Sequence, residues 1–476
     1  MVRAEIPFPL STAPGTTRRD GAGRIVNAFW EPADATLNPS GRVLRRAPGL
    51  TAGFATSSEE GIRGLFESNG TLYAAFDGEI LKCTLTGGAL ASVGAYSGTD
   101  KVFFARNNKS PTPDMVVCSP DNGAVTFTAS SVAGSYPDAD LPAANSVCSI
   151  DGYFVFTTGA GLAYASDLND TSLSSLSFGR AEAKPDGLLR AIPFGGRLLL
   201  FGLATTEVWT NVGTSPFPFA RNEVLPVGLR GRYTVAGYED AFSRGPLFVA
   251  SDSTVRMLSG YDAQKISPPD LDRLIEAVSD EDTLEAIVYI SAGHAFYELS
   301  CDEWTWVYNI NNQKWHELES YGTTRSRKRC SVYAFGKWLC GDVTDGDIRQ
   351  ITRDAQDEDG DPFRVRIESG PVKGFPAGTR VARADFDMAT GVGEASGDDP
   401  TETDPTVEIS CSLDGGVTYN PPWQRKLGRQ AVAQRVAPVF NAGISRGNGH
   451  RWRVDIADPV DVVFYGASQS SAMQWR

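Results

Sequence analysis

The sequence predicts an all-β chain: a β-propeller of about six to seven blades with an inserted helix, plus a C-terminal β-sandwich-like domain. Three observations carry this. Helical periodicity is nearly absent from 476 residues that include 49 glycines and 28 prolines, so turns are frequent and strands short. Apolar strand pairs joined by tight glycine turns recur. Their glycines, Gly70, Gly152, Gly196, Gly245, Gly293 and Gly336, fall 82, 44, 49, 48 and 43 residues apart. A period in the forties is that of a propeller.

Residues 1–50 read as an N-terminal arm. It has one lead-in strand at Asn27-Ala28-Phe29-Trp30-Glu31 and a turn at Pro48-Gly49. Residues 51–352 read as the propeller. Its first unit is Ile62 to Phe66, an Asn69-Gly70 turn, Thr71 to Phe76, then Glu79 to Cys83. Residues 102–128 hold a degenerate unit inside the double-length first gap. Val147 to Ile150 with Tyr153 to Phe156 repeats the pattern across Asp151-Gly152. Residues 181–211 repeat it across Gly195-Gly196. There Arg197 to Phe201 is too apolar for a strand wetted on one face, so it is buried on both. Units at Leu247 to Ala250, Ala295 to Glu298 and Trp338 to Cys340 follow. No single unit buries its own faces, so the ring must close. The signature dipeptides of WD40 and kelch repeats are missing.

Residues 267–287 break the pattern. Leu271, Leu274, Ile275 and Val278 recur at helical spacing, which predicts an amphipathic helix of about three turns between blades. It packs on its own domain or serves as a subunit contact. Trp304, Trp306, Trp315 and Trp338 crowd one stretch. A tryptophan row stacks on sugars or bases, but the strand context favours blade-to-blade packing. Residues 353–361 are an acidic turn. A calcium loop of the EF-hand type needs acids where Ala355 and Arg366 stand, so a solvated boundary loop is expected. Residues 353–476 read as the sandwich-like domain, with a mobile acidic loop at 389–406.

Lys and Arg total 44 against 58 Asp and Glu, a formal charge of −14. That disfavours a protein that grips nucleic acid by its phosphates. An acidic wall would instead repel DNA and let it slide, though net charge speaks to solubility first. The seven cysteines, Cys83, Cys118, Cys148, Cys301, Cys330, Cys340 and Cys411, are scattered without a CxxC pair. They read as small buried hydrophobes of a reducing compartment. No secretory leader and no apolar run of membrane-spanning length is read, so no membrane anchor is expected.

Three histidines, His294, His316 and His450, lie far apart and outside any metal-ligating pattern. Neither a P-loop nor a GxSxG elbow occurs. Ser412-Leu413-Asp414-Gly415-Gly416-Val417-Thr418-Tyr419 resembles an Asp-box, the structural hairpin of sialidase-like propellers. It occurs once, outside the propeller repeat. No residue is assigned to catalysis, to a cofactor or to a metal. The chain is not expected to be an enzyme.

The stretch AEAKPDGLLRAIPFGGRLLLFGLATTEVWTNVG resembles the matching region of the packaged-DNA stabilization proteins of short-tailed bacteriophages, also called tail hub, tail accessory or nozzle proteins. The shared features are Ala181-Glu182 leading to Pro185-Asp186-Gly187, an apolar strand ending in Phe201-Gly202, and Thr206-Glu207-Val208-Trp209. The run up to Pro48-Gly49-Leu50 and the Asp414-Gly415 hairpin with its Arg-rich strand pair resemble the same family. The resemblance implies a structural virion protein located in the tail and assembled in the host cytoplasm. It implies a homo-hexameric ring below the portal and its head-to-tail adaptor. That ring would extend and close the DNA channel, retain packaged DNA and support ejection. Partners would be the adaptor ring, tail tip or needle and fiber proteins, and double-stranded DNA passing through the lumen without sequence-specific binding. Candidate contact elements are the 267–287 helix, the N-terminal arm and the basic 424–435 stretch. The alternative is a propeller that binds or hydrolyses glycans at a phage tail or bacterial surface.

Overall fold

A computed structural model describes residues 2–474, except 18, 34–40, 60, 182, 185, 243, 375, 376, 433, 434 and 446. Among these, seven antiparallel sheets form the blades of a closed propeller. Blade 1 takes Gly64–Ser68, Thr71–Ala75, Glu79–Thr84 and Ala91–Ala95. Blade 2 takes Phe103–Arg106, Met115–Ser119 and Gly123–Phe127. Blade 3 takes Ser146–Ile150, Tyr153–Thr157, Leu162–Ala165 and Phe178–Arg180. Blade 4 takes Leu188–Phe194, Arg197–Gly202, Thr206–Asn211 and Phe219–Leu225. Blade 5 takes Leu247–Val249, Val255–Ser259 and Asp262–Lys265, with Ala236 bridging to Leu247 on the inner side. Blade 6 takes Glu285–Ser291, His294–Ser300, Thr305–Asn309 and Lys314–Glu317. Blade 7 takes Lys328–Ala334, Lys337–Asp342 and Ile348–Thr352.

Local chemistry explains most blades. The Asn69-Gly70 and Asp151-Gly152 turns have φ of 50° and 76°, and of 52° and 87°. Both central residues are left-handed, which matches the twist of a two-residue hairpin. Blade 2 is the degenerate unit. Its inner hairpin is joined by residues 107–114, where Asn107 and Asp114 hydrogen-bond across the loop. The strand Arg197–Gly202 is buried along nearly its whole length, as its composition demands.

The ring closes through the chain's early residues. Gly49–Leu50 and Ala55–Thr56 pair with Ile348–Thr352, the third strand of blade 7. A single sheet edge is thereby sealed by residues some three hundred positions away in sequence, which removes an open edge from the ring. The inner strands of blades 7 and 1 pack together, as do those of blades 1 and 2, 2 and 3, 3 and 4, and 6 and 7. One apolar cluster joins blades 4 and 5 through Ile192, Phe201, Val235 and Phe248. Tyr233 bridges to Glu285 between blades 5 and 6.

The second body is a sandwich of two sheets. One has the order Ala28–Pro32, Arg42–Arg46, Val463–Gln474, Gly378–Met388, Val439–Ser445, and Val2–Glu5 adds to Val463–Gln474. The other runs Arg24–Val26, Val365–Glu368, Arg451–Ile456, Thr406–Ser412, Trp423–Lys426. Residues 1–50 are therefore more than the expected arm with one lead-in strand: four of their strands belong to the sandwich. The physical reason is burial. Ile6, Phe8, Ile25, Trp30 and Leu44 share one core with Val381, Phe386, Ile409, Trp452 and Phe464, and an isolated arm would leave them wet. Arg24–Val26 also runs beside Lys314–Glu317 of blade 6, so one sheet passes from propeller to sandwich.

The inserted helix is Pro269–Ala277, between blades 5 and 6. Leu271 and Ile275 are buried in the core shared with Trp306, Trp315 and Trp338. It packs on its own domain, and the tryptophans fill the blades. The 389–406 segment carries a one-turn helix, Pro400–Thr403, capped by the Asp399 carboxylate, which accepts from the Thr401 N–H at 2.8 Å. Gly391 and Gly393 donate backbone N–H groups to Leu427 and Gly428.

Candidate functional site

Two places concentrate buried charge: the propeller axis, and the seam where blades 6 and 7 meet the sandwich linker. At the axis, inner strands of several blades carry polar residues inside apolar runs. Arg190 of blade 4 donates to the Arg232 carbonyl at 3.1 Å and to the Tyr238 hydroxyl, both from the blade 5 side. Its guanidinium lies 4.3 Å from the ring centroid of Phe103 in blade 2. One side chain therefore crosses the channel. Arg329 of blade 7 donates to Glu285 of blade 6 at 3.1 Å and to the Thr99 carbonyl before blade 2 at 3.3 Å. Lys101 sits beside this group, and burial lowers its pKa against the pull of Glu285. Burial raises the Glu239 carboxyl, with Arg190 and Lys101 opposing. The fully buried Arg63 ties blade 1 to blade 2 through the Asp100, Phe76 and Tyr96 carbonyls. The axis is plugged by its own side chains.

The seam is an electrostatic lock. Lys328 and Glu298 form an ion pair at 3.2 Å with neither side chain exposed. Burial lowers the Lys328 pKa, but Glu298 and the nearby Glu358 outweigh it, so the ammonium is held charged. Glu358 lies in the 353–361 linker, and burial raises its carboxyl while Lys328 opposes. Above this pair, Arg349 reaches Asp345 and Asp359 at 2.8 Å and Asp342 at 3.1 Å. Arg327 pairs with Asp342, with Asp345 at 3.1 Å and with Asp361 at 3.0 Å. Two acids of the turn expected as a solvated loop, Asp359 and Asp361, are thus paired with Arg349 of blade 7 and with Arg327 just before it. Arg46 adds a further tie, donating to the Gln356, Phe363 and Asp458 carbonyls, and burial pushes its pKa down to about 10.

The other sequence candidates fall elsewhere. The Asp-box hairpin is formed: Asp414 Oδ1 accepts from the Ser412 hydroxyl at 2.7 Å and from the Val417 and Thr418 N–H groups at 2.9 and 3.0 Å. Its carboxyl is held well below the usual range; burial opposes the shift, and those hydrogen bonds outweigh it. The hairpin closes a sandwich strand. His294 pairs with Glu31 at 3.3 Å, while His450 contacts Gln469 at 2.7 Å. His316 is buried, which pushes its pKa down to about 3. Among the described residues, no group of three His, Cys, Asp or Glu could hold a metal ion. Glu182 and Pro185 of the 181–211 motif, and positions 433 and 434 of the basic stretch, lie outside the described residues. Asp186 of that motif accepts from the Ala204 N–H at 2.6 Å, which pins the turn between the second and third strands of blade 4. The sequence reading missed the axial and seam charges. Their signal was polar residues within apolar strands, as in Leu188-Leu189-Arg190-Ala191-Ile192 and Lys328-Arg329-Cys330.

Solved structures similar to the chain include the WD40 β-propeller domain of Doa1, at 9% identity and a TM-score of 0.42, covering 64% of this chain and 96% of that one. PorZ, a surface component of the type-IX secretion system of Porphyromonas gingivalis, matches at 10% identity and a TM-score of 0.38, over 70% of this chain and 44% of its own. The designed protein Ika8 matches at 10% identity and a TM-score of 0.38, over 64% and 99%. No curated protein matches in sequence. A protein-family profile described as "Bacteriophage P22 Gp10, beta-propeller" matches residues 25–356, the propeller with the strands that seal it. A closed seven-bladed ring over the matched residues, together with a match that spans most of the chain, makes this protein a member of the phage stabilisation family of P22 Gp10.

Proposed function

We propose that this chain is a tail hub, or nozzle, subunit: a homo-hexameric ring below the portal and its adaptor. The ring extends and closes the DNA channel, retains packaged DNA and takes part in its ejection. The family match over residues 25–356 is the observation that carries this reading. The plugged axis supports a particular DNA path. Arg190 and Arg329 cross or seal each propeller's own channel, so the duplex would run between subunits. The net charge of −14 suits a lumen that does not grip phosphates. Its role is mechanical, and the residues at axis and seam keep the disc rigid. The remaining partners are the adaptor ring, a tip or needle and fibers, and the place is the virion tail after assembly in the host cytoplasm.

The test is a phage lysate made without this chain. Capsids should package DNA and then lose it, and electron microscopy of complemented particles should show added ring density at the tail vertex. Full, infectious particles without the chain would refute the proposal.

A further inference from the structure

At the seam, two buried carboxyls share one ammonium. Lys328, Glu298 and Glu358 are 2%, 1% and 1% exposed. Lys328 pairs with Glu298 at 3.2 Å. Glu358 forms no ion pair, and neither of its side-chain oxygens accepts a hydrogen bond, among the described residues. A carboxylate left charged there would lose its hydration and gain no partner, and a group so placed neutralises instead.

The backbone keeps the side chain where it is. The Glu358 N–H donates to the Asp361 carbonyl at 3.0 Å, and the Asp361 N–H returns to the Glu358 carbonyl at 3.2 Å. The Leu50 N–H donates to the Asp357 carbonyl at 2.9 Å, and the Asp359 N–H to the Leu50 carbonyl at 3.0 Å. The sealing strand Gly49–Leu50 thus clamps Asp357 and Asp359, and the side chain between them stays turned inward.

The groups that face this carboxyl come from several elements. Lys328 of blade 7 favours its ionised form, as do Arg327 and the Ser320 hydroxyl after blade 6. Arg327 is already shared among Asp342, Asp345 and Asp361. Glu298, on the second strand of blade 6, opposes ionisation. Tyr289, on the first strand of that blade, has a buried hydroxyl without a partner, and burial raises it with Glu298 and Glu358 adding to the shift. His316, on the last strand of blade 6, is neutral. The Cys340 thiol, on the second strand of blade 7, is raised by burial. Asp359 and Asp361 of the linker itself are paired with Arg349 and Arg327. Burial is the largest influence on Glu358 and raises its carboxyl.

We propose that Glu358 is a proton-binding site: the folded chain carries a proton on this carboxyl at neutral pH, and loss of that proton puts a second anion into the seam and loosens the junction of sealing strand, closing blade and linker. The step is a proton transfer alone, from solvent to a Glu358 oxygen as the chain folds. It is a property of one chain and does not rest on the ring reading. Acid therefore tightens the seam and base loosens it. A carboxyl whose folded pKa lies above its unfolded value of 4.5 favours folding at low pH, and that contribution fades as pH rises towards the folded value.

The experiment compares the full-length wild type with Glu358→Gln, whose amide copies the protonated acid, by urea unfolding from pH 5 upward. The unfolding constant of wild type relative to the variant should rise about tenfold per pH unit until the folded carboxyl ionises, because the variant has no proton to lose. His316 titrates in the opposite sense in both proteins and cancels in the comparison. The infrared spectrum of wild type at pH 7 should contain the carbonyl stretch of a protonated carboxyl, and the variant should lose it. Hydrogen exchange, corrected for base catalysis, should rise at residues 49–50 and 357–361 of wild type at the pH where that band disappears, and not in the variant. A variant less stable than wild type by the same factor at every pH overturns the site, since the carboxylate is then charged throughout. A wild-type spectrum without the band at pH 7 overturns it whether or not the variant folds, and so does a band that the substitution leaves unchanged.

Discussion

Replacing Lys328 by Met tests whether the seam is a lock or mere packing. Lys328 and Glu298 are paired at 3.2 Å with no exposed side-chain surface, and Glu358 lies close by. Removing the ammonium strands the Glu298 carboxylate beside a second acid in a region without water access. Breaking a buried pair from one side costs about 3–5 kcal/mol. Replacing both partners with apolar residues of similar volume is often neutral. The expected order is therefore Lys328→Met far below wild type, Glu298→Leu below it by a similar amount, and the double variant near wild type. With each single variant losing at least about 3 kcal/mol and the double almost nothing, the coupling energy should reach about 6 kcal/mol in magnitude. Urea unfolding followed by tryptophan fluorescence reports it, since Trp306 and Trp315 sit in the adjoining core. A single variant that loses less than about 1 kcal/mol, or a double variant as unstable as the single, would refute a charge lock.

The buried histidine, the buried thiols and the Asp-box hairpin each carry a measurable consequence. His316 is buried with a pKa of about 3. The unfolded chain takes up that proton near pH 6.5 and the folded one does not, so stability falls as pH drops below 6.5. Between pH 7 and pH 5 the loss is about 2 kcal/mol, and His316→Gln should remove that part of the slope in denaturant titrations at the two pH values. All seven cysteines are free and buried, and burial raises Cys118 and Cys340 far above a reactive thiol. A disulfide-exchange reagent should titrate almost none in the native chain and all seven in denaturant. Asp414→Ala removes the acceptor of the Asp-box hairpin and should cost about 1–2 kcal/mol. Hydrogen exchange should rise at residues 412–419 and stay unchanged in the propeller.

The parts of the fold that local chemistry dictates were legible. Asn69-Gly70 and Asp151-Gly152 announce hairpins because both residues accept left-handed backbone, and their spacing announces the ring. Blade 2 was faint because residues 107–114 replace such a turn with a longer loop. The role of residues 1–50 was hidden for a different reason. Trp30 and Leu44 announce burial, but nothing local says that their partners are Phe464 and Val381 more than three hundred positions on. The axial plug was hidden likewise. An arginine such as Arg190 reads as ordinary until the ring brings Phe103 and Tyr238 to it.

The pairing of Val2–Glu5 with Ser468–Ser471 has a mechanical consequence. The first and last strands run antiparallel side by side, so the whole propeller hangs as a loop from one ladder. Tension applied between the two ends would bear on that ladder alone, and the disc would carry no load. Such an arrangement lets one body take strain while the other keeps its shape.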